Sequence, residues 1–363
     1  MARKLYSDPV LFVATLGLLG IGLVMVWSAS SALAQEQHGS SHYYLVRQII
    51  WACVGLLAMS ATMRIDYRSL RQPAVVYGAV GLTTLLLVGV LFTSPVNDTH
   101  RWFRLGALSF QPAELAKLTL IVFLAYHLER KGDRVNEFLT SLFPALLLVG
   151  WFVFLIYIQP DLGTAATLVM IAAVMCFLAG VRLRYFAAMA VPAAFVGYQA
   201  VMVAAYRRDR IEAFLNPWSD AQGSGYQLIQ SLIAVGTGGL TGVGLMEGQQ
   251  KLFYLPYPFS DFIYAVIGEE LGLLGAAAVL FGFLIFLWRG ARAAWEAPDH
   301  FGTYLAAGLV FSIVMQAMIN VSVVLGLLPT KGIPLPFISA GGSSLLATMV
   351  AVGLLLNVSQ HGD

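Results

Sequence analysis

The side chains of this chain that could do chemistry are charged groups in places where an apolar sequence should hold few. Asp261 stands directly before the apolar run 263–288. Glu114 and Lys117 lie inside another apolar run, three residues apart and so on one helix face. Asp161 sits in the tight turn Gln159-Pro160-Asp161-Leu162-Gly163. Arg101, Arg210, Lys251 and Lys331 fall in the connections on one side of the chain's apolar runs, and Ser343 opens the last run. Each has a structural role open to it: Asp161 and Asp261 could cap helices, and Glu114 and Lys117 could neutralise each other. The chemical alternative is one site. A partly desolvated carboxylate at a span boundary has a raised pKa and suits a general base. Several cations, with free N–H groups where the last helix begins, suit an anionic ligand or leaving group. Asp261 is the candidate base, and the other eight residues are candidate binding groups.

The elements that must position these groups follow from composition. The chain has 363 residues, 59% hydrophobic and 11% charged, where soluble domains run near 25% charged. That defines an all-α polytopic membrane protein forming a single unit over 1–363. Runs near twenty apolar residues number about ten: 9–29, 44–63, 73–92, 112–128, 139–158, 164–181, 186–205, 263–288, 301–327 and 343–358. The first lacks a cleavage signal and is expected to remain as a helix.

Lys and Arg collect in the N-terminus (Arg3, Lys4) and in every second loop, including Arg64, Arg68, Arg71, Arg130, Arg134, Arg289 and Arg292. This side is expected to be cytoplasmic, with both termini there. The polar, Gly-rich segment 206–262 between the seventh and eighth runs is then a large extracytoplasmic loop. Its length points to function, since connections beyond about 12–15 residues are seldom idle. The stretch from Gly236 to Gly244 misses the G-x-G-x-x-G register and follows no strand, so a nucleotide loop is rejected and close backbone approach is expected instead. Cys53 and Cys176 sit in apolar runs and are read as small buried hydrophobes rather than a disulfide or metal site. A net charge of +2 gives no sign of nucleic acid. The sequons at Asn97, Asn320 and Asn357 are short enough to arise by chance.

Several ordered motifs resemble the SEDS family (shape, elongation, division and sporulation), which includes RodA and FtsW. They are Arg101-Trp102 with Gly106, Gln111-Pro112 with Glu114 and Lys117, the 159–163 turn, Phe214-Leu215-Asn216-Pro217-Trp218, Gly223-Ser224-Gly225-Tyr226-Gln227, Asp261-Phe262-Ile263 with Glu269-Glu270, and the loop from Pro329 to Ser344. The 250–256 run and the Pro329-Thr330-Lys331-Gly332 wording lean toward FtsW. Met246-Glu247, Tyr257-Pro258-Phe259-Ser260 and Ala340 depart from the family's usual residues. The resemblance implies a ten-helix glycosyltransferase of the bacterial cytoplasmic membrane. Its substrate would be lipid II, an undecaprenyl-diphosphate-linked disaccharide-peptide, polymerised into peptidoglycan for septal division or for elongation and cell shape. It implies a class B penicillin-binding protein transpeptidase as partner, alongside other division or elongation membrane proteins. A divalent cation, Mg or Mn, could share the work on the diphosphate. A lipid-linked substrate flippase and a non-catalytic division scaffold are the other readings. The first would be supported by inverted repeats, of which none is evident. The second leaves Glu114 and Lys117 without a purpose.

Overall fold

In lipid, backbone N–H and C=O groups must be paired within the protein, and helices pair them segment by segment. The computed structural model of the chain describes residues 7–94, 99–105 and 108–362. The helices are α1 (Pro9–His38), α2 (Tyr43–Thr62), α3 (Pro73–Gly89), α4 (Pro112–Lys131), α5 (Phe143–Ile158), α6 (Leu162–Leu178), α7 (Leu183–Met202), α8 (Ala205–Leu215), α9 (Tyr226–Gly238), α10 (Ile263–Trp295), α11 (His300–Val324) and α12 (Gly342–Gln360). A short antiparallel hairpin, β1 (Phe103–Leu105) with β2 (Leu108–Phe110), precedes α4. The Asn97 sequon, Gly106, Arg3 and Lys4 lie outside the described residues.

All ten apolar runs are helical. Eight helical stretches among the described residues are long and apolar enough to cross a membrane. The two other expected spans have visible reasons for missing that standard. Helix α6 is short at 17 residues, and α4 carries Glu114 and Lys117 at one end and Glu129, Arg130 and Lys131 at the other. Helices α11 and α12 form the centre, 67% and 72% buried over their most apolar stretch, whereas α7 is only 6% buried and faces outward.

The Arg-rich turns converge at one end of the bundle, where α4 and α12 finish and α11 begins. Asp8 caps α1 and pairs with Arg289 at 2.6 Å, and its N–H donates to Ser359 Oγ. Asp299 accepts from Tyr67 Oη at 2.7 Å and pairs with Arg68, and Arg71 meets Glu129 at 2.9 Å. The candidate site lies at the opposite end, where α4, α6 and α12 begin.

The largest departure from the sequence expectation is in 206–288. The long connection holds α8, a 3-10 turn at Pro217–Asp220, and α9. The run 263–288 is broken at Gly272, which adopts φ 64° and ψ −164°. A broken helix orphans backbone groups, and the Gly-rich stretch supplies their partners. Val243 N and Gly244 N donate to Glu269 O and Glu270 O at 3.0 and 3.1 Å, while Leu273 N and Leu274 N donate to Gly239 O and Leu240 O at 2.9 and 3.1 Å. A Cβ at Gly238 or Gly242 would strike the backbone of Gly268 or Glu270. Close approach is therefore what these glycines provide.

Candidate active site

A cavity of about 180 Å³ opens among the starts of α4, α6 and α12, with α11 behind it. Arg101, Glu114, Lys117, Asp161 and Asp261 all line it, as do Trp102, Gln111, Gln316, Gly332 and Ser344. Sequence separations above two hundred residues are closed by the bundle.

On α4 the i, i+3 spacing brings Lys117 Nζ to 2.9 Å from Glu114 Oε2, with both side chains buried. Lys117 Nζ also donates to Gln316 Oε1 on α11 at 2.7 Å. The ammonium is thus held by two acceptors while facing the cavity. Asp161 does both things open to it. Its Oδ1 accepts from Thr164 N at 3.1 Å and so caps α6, and its Oδ2 accepts from Thr164 Oγ1 and Gln111 Nε2. Arg101 grips the turn beside it, with Nε donating to Gln159 O at 2.9 Å and Nη2 donating to Pro160 O.

Asp261 caps nothing: the start of α10 has no side-chain cap bond. Its half-buried carboxylate accepts from Ser260 Oγ at 3.0 Å. Burial pushes this carboxyl above the usual carboxylate range, against the opposing pull of the Ser260 hydrogen bond and the Arg210 charge. The proline-rich loop after α11 is stitched over it. Ser339 Oγ donates to Ser260 O at 2.7 Å, and Ala340 N donates to Phe259 O at 2.9 Å.

Lys331 and Arg210 sit beside the cavity rather than in its lining. Arg210 donates to Thr330 O at 3.3 Å and lies over the Tyr206 ring. Burial holds the Lys331 ammonium below its ordinary pKa, Asp161 draws it back up, and Arg210 pushes it further down. Ser343 does not line the cavity. Its Oγ is buried without a partner among the described residues, and α12 is capped by Gly341 with no side-chain bond, so Ser343 is not the expected cap. Its neighbours Gly341 and Ser344 do face the cavity.

Lys251 is a correction. It is 4% exposed and sits 2.6 Å from Glu270 Oε1, with Ser28 Oγ at 3.0 Å. Ser28 Oγ and Met246 N also donate to Glu270. The ammonium is committed to this cluster, away from the cavity, so it does not stand among the cations there. Two site residues escaped sequence reasoning: Gln316 and Asn320, amides one turn apart in an otherwise apolar run. That spacing was the available signal, because polar groups inside a span are costly and usually purposeful.

Lipid-length helices enclosing a cavity that holds a carboxylate beside buried and half-buried cations define a polytopic integral membrane protein with an internal polar site. The family model of FtsW, RodA and SpoVE cell cycle proteins matches residues 9–363. A probable peptidoglycan glycosyltransferase FtsW from Geobacter sulfurreducens is 44% identical over 97% of this chain and 95% of its own length. Stage V sporulation protein E of Bacillus subtilis is 43% identical over 99% and 98%. A chain from a peptidoglycan synthase complex, solved to show how polymerization and crosslinking are coordinated, superposes with TM-score 0.81 at 31% identity, covering 98% and 99% of the two chains. The rod shape determining protein RodA of Thermus thermophilus superposes with TM-score 0.73 at 27% identity, covering 98% of each. The chain belongs to the FtsW/RodA/SpoVE family of cell cycle proteins.

Proposed function

We propose that this chain is a peptidoglycan glycosyltransferase that polymerises lipid II at the outer face of the bacterial cytoplasmic membrane, with Asp261 as its general base. The observation that carries the assignment of the base is a half-buried carboxylate that caps no helix and shares one cavity with Lys117. In the reaction an acceptor sugar hydroxyl attacks the anomeric carbon of the donor. Asp261 takes the hydroxyl proton as the new C–O bond forms. The bond to the diphosphate breaks, and the leaving group departs with the electron pair. Diphosphate is a good leaving group and needs little acid assistance. It needs positive charge already in place, which Lys117, Lys331, Arg210 and the first amides of α12 supply. Glu114 anchors Lys117 through their ion pair, and Arg101 and Asp161 shape the wall.

Among the described residues no three His, Cys, Asp or Glu side chains are grouped to hold a metal ion by themselves. Mg or Mn is proposed only as a companion of the diphosphate. We further propose septal work, a class B penicillin-binding protein as the crosslinking partner, in keeping with the likeness to a chain of a peptidoglycan synthase complex, and both termini in the cytoplasm, on the side where Lys and Arg collect. Single cysteines report the orientation. A membrane-impermeant reagent added to intact cells should label a cysteine at Ser224 and not one at Ser69, and the reverse would invert the topology.

The direct test supplies purified protein with lipid II and resolves the products by size. Glycan strands are expected. Movement of labelled lipid II across liposomes without strands would favour a flippase instead. A further expectation concerns Gly332, where a Cβ would sit 2.9 Å from Asp261 Oδ2. Gly332→Ala should displace that carboxylate and slow polymerisation by about tenfold to 10²-fold with little change in melting temperature. Unchanged turnover would mean the carboxylate's position at this loop is not critical.

A further inference from the structure

Helix α11 presents Gln316 and Asn320, four residues apart and so on one face, toward the cavity end of the bundle. Gln316 Nε2 donates to Pro334 O at 2.9 Å while its Oε1 accepts from Lys117. Asn320, only 1% exposed, is used more unusually. Its Nδ2 donates to Asp261 O at 2.7 Å and to Ile333 O at 2.8 Å. Both amide hydrogens are spent on carbonyls from two different loops. The reversed amide would set an oxygen against two carbonyl oxygens, so the network fixes the orientation. In this orientation Asn320 Oδ1 is buried with no partner among the described residues. An unpaired buried acceptor is destabilising, so stability alone gives no reason for an amide here. The two-donor nitrogen does. The same burial inside α11 excludes Asn320 as a glycosylation site.

We infer that Asn320 is a positioning residue, whose single amide nitrogen ties the Asp261 backbone to the 333–334 segment and so fixes where the Asp261 carboxylate stands against the far wall of the cavity. The inference rests on Asp261 being the base. Asn320 touches no reacting atom and acts through the two carbonyls it holds. Gln316 ties the next residue of the same segment to Lys117, so one helix face references both charged groups.

Two variants test this. Asn320→Asp keeps the shape and removes the paired donors, and Asn320→Ser keeps at most one donor in a smaller side chain. For folded, monodisperse protein of either kind, kcat for lipid II polymerisation should fall about tenfold to 10²-fold, with KM within about twofold. In Asn320→Ser, which adds no charge, the acid limb of the kcat–pH profile should also move to lower pH, because a loosened Asp261 regains water. A residue that only stabilises the fold would lower melting temperature while leaving kcat per folded molecule and the acid limb unmoved, and that result overturns the inference. Asp261→Asn run alongside separates the two levels. If it polymerises normally, the base assignment itself fails. If it is inactive while both Asn320 variants keep wild-type kcat and acid limb, only the positioning role is lost.

Discussion

Asp261→Asn is expected to reduce lipid II polymerisation by about 10²–10⁴-fold while leaving the protein folded. The amide keeps the shape and still accepts from Ser260 Oγ, but it is a negligible base near neutral pH. The wild-type pH profile should carry an acid limb above the usual carboxylate range, because burial raises the Asp261 pKa. Activity is present above that limb and lost as pH falls through it, since the base must be ionised to work. The stability effect has the opposite sign. A carboxyl whose pKa is raised by folding binds its proton more tightly in the folded state. Its stabilisation is complete below the unfolded pKa and is lost as pH rises through the folded one. At neutral pH the buried anion is a burden that Asn removes, so the variant should melt at or above the wild-type temperature. Residual activity near wild type would take Asp261 out of the mechanism.

The second large effect is on stability. Lys251→Met should destabilise the protein by about 3–5 kcal/mol, because it strands the Glu270 carboxylate at 0% exposure without its counter-charge. The double variant Lys251→Met with Glu270→Gln should recover most of that loss. An uncharged pair can replace a buried ion pair at small cost, and Gln keeps an acceptor for Ser28 and Met246. The recovered double variant should also polymerise lipid II. Thermal unfolding and turnover are measured on the same preparations. A double variant that is stable but inactive would return Lys251 to the substrate and overturn its placement as a structural partner.

The two residues show where sequence reasoning reaches. Glu114 and Lys117 could be read as neighbours because i, i+3 spacing is a local property of a helix. Lys251 was legible only as one more cation in a connection rich in them. Its partners Ser28 and Glu270 lie 223 and 19 residues away, and no local pattern pairs them. Asp161 could be read as a cap or as a wall of the site, and the fold makes it both. Ser343 could be read as a cap, and Gly341 takes the capping position instead. Gln316 and Asn320 went unread as amides in an apolar run, and what they hold is set by loops folded over α11.

The class of the protein and its working parts are written in the chain itself. Runs of apolar residues near bilayer length force helices, because lipid offers the backbone no other partner. The rarity of charge in and beside those runs is enough to mark Glu114, Lys117 and Asp261. Which charges are already committed and which face open space is a matter for the packed helices. Packing sets Lys251 against Glu270, leaves Asp261 half-buried in the cavity, and breaks α10 at Gly272. The reason is range. Hydropathy and helical periodicity act over a few residues, whereas an ion pair or a break in a helix is settled by whichever distant backbone or side chain arrives to satisfy it.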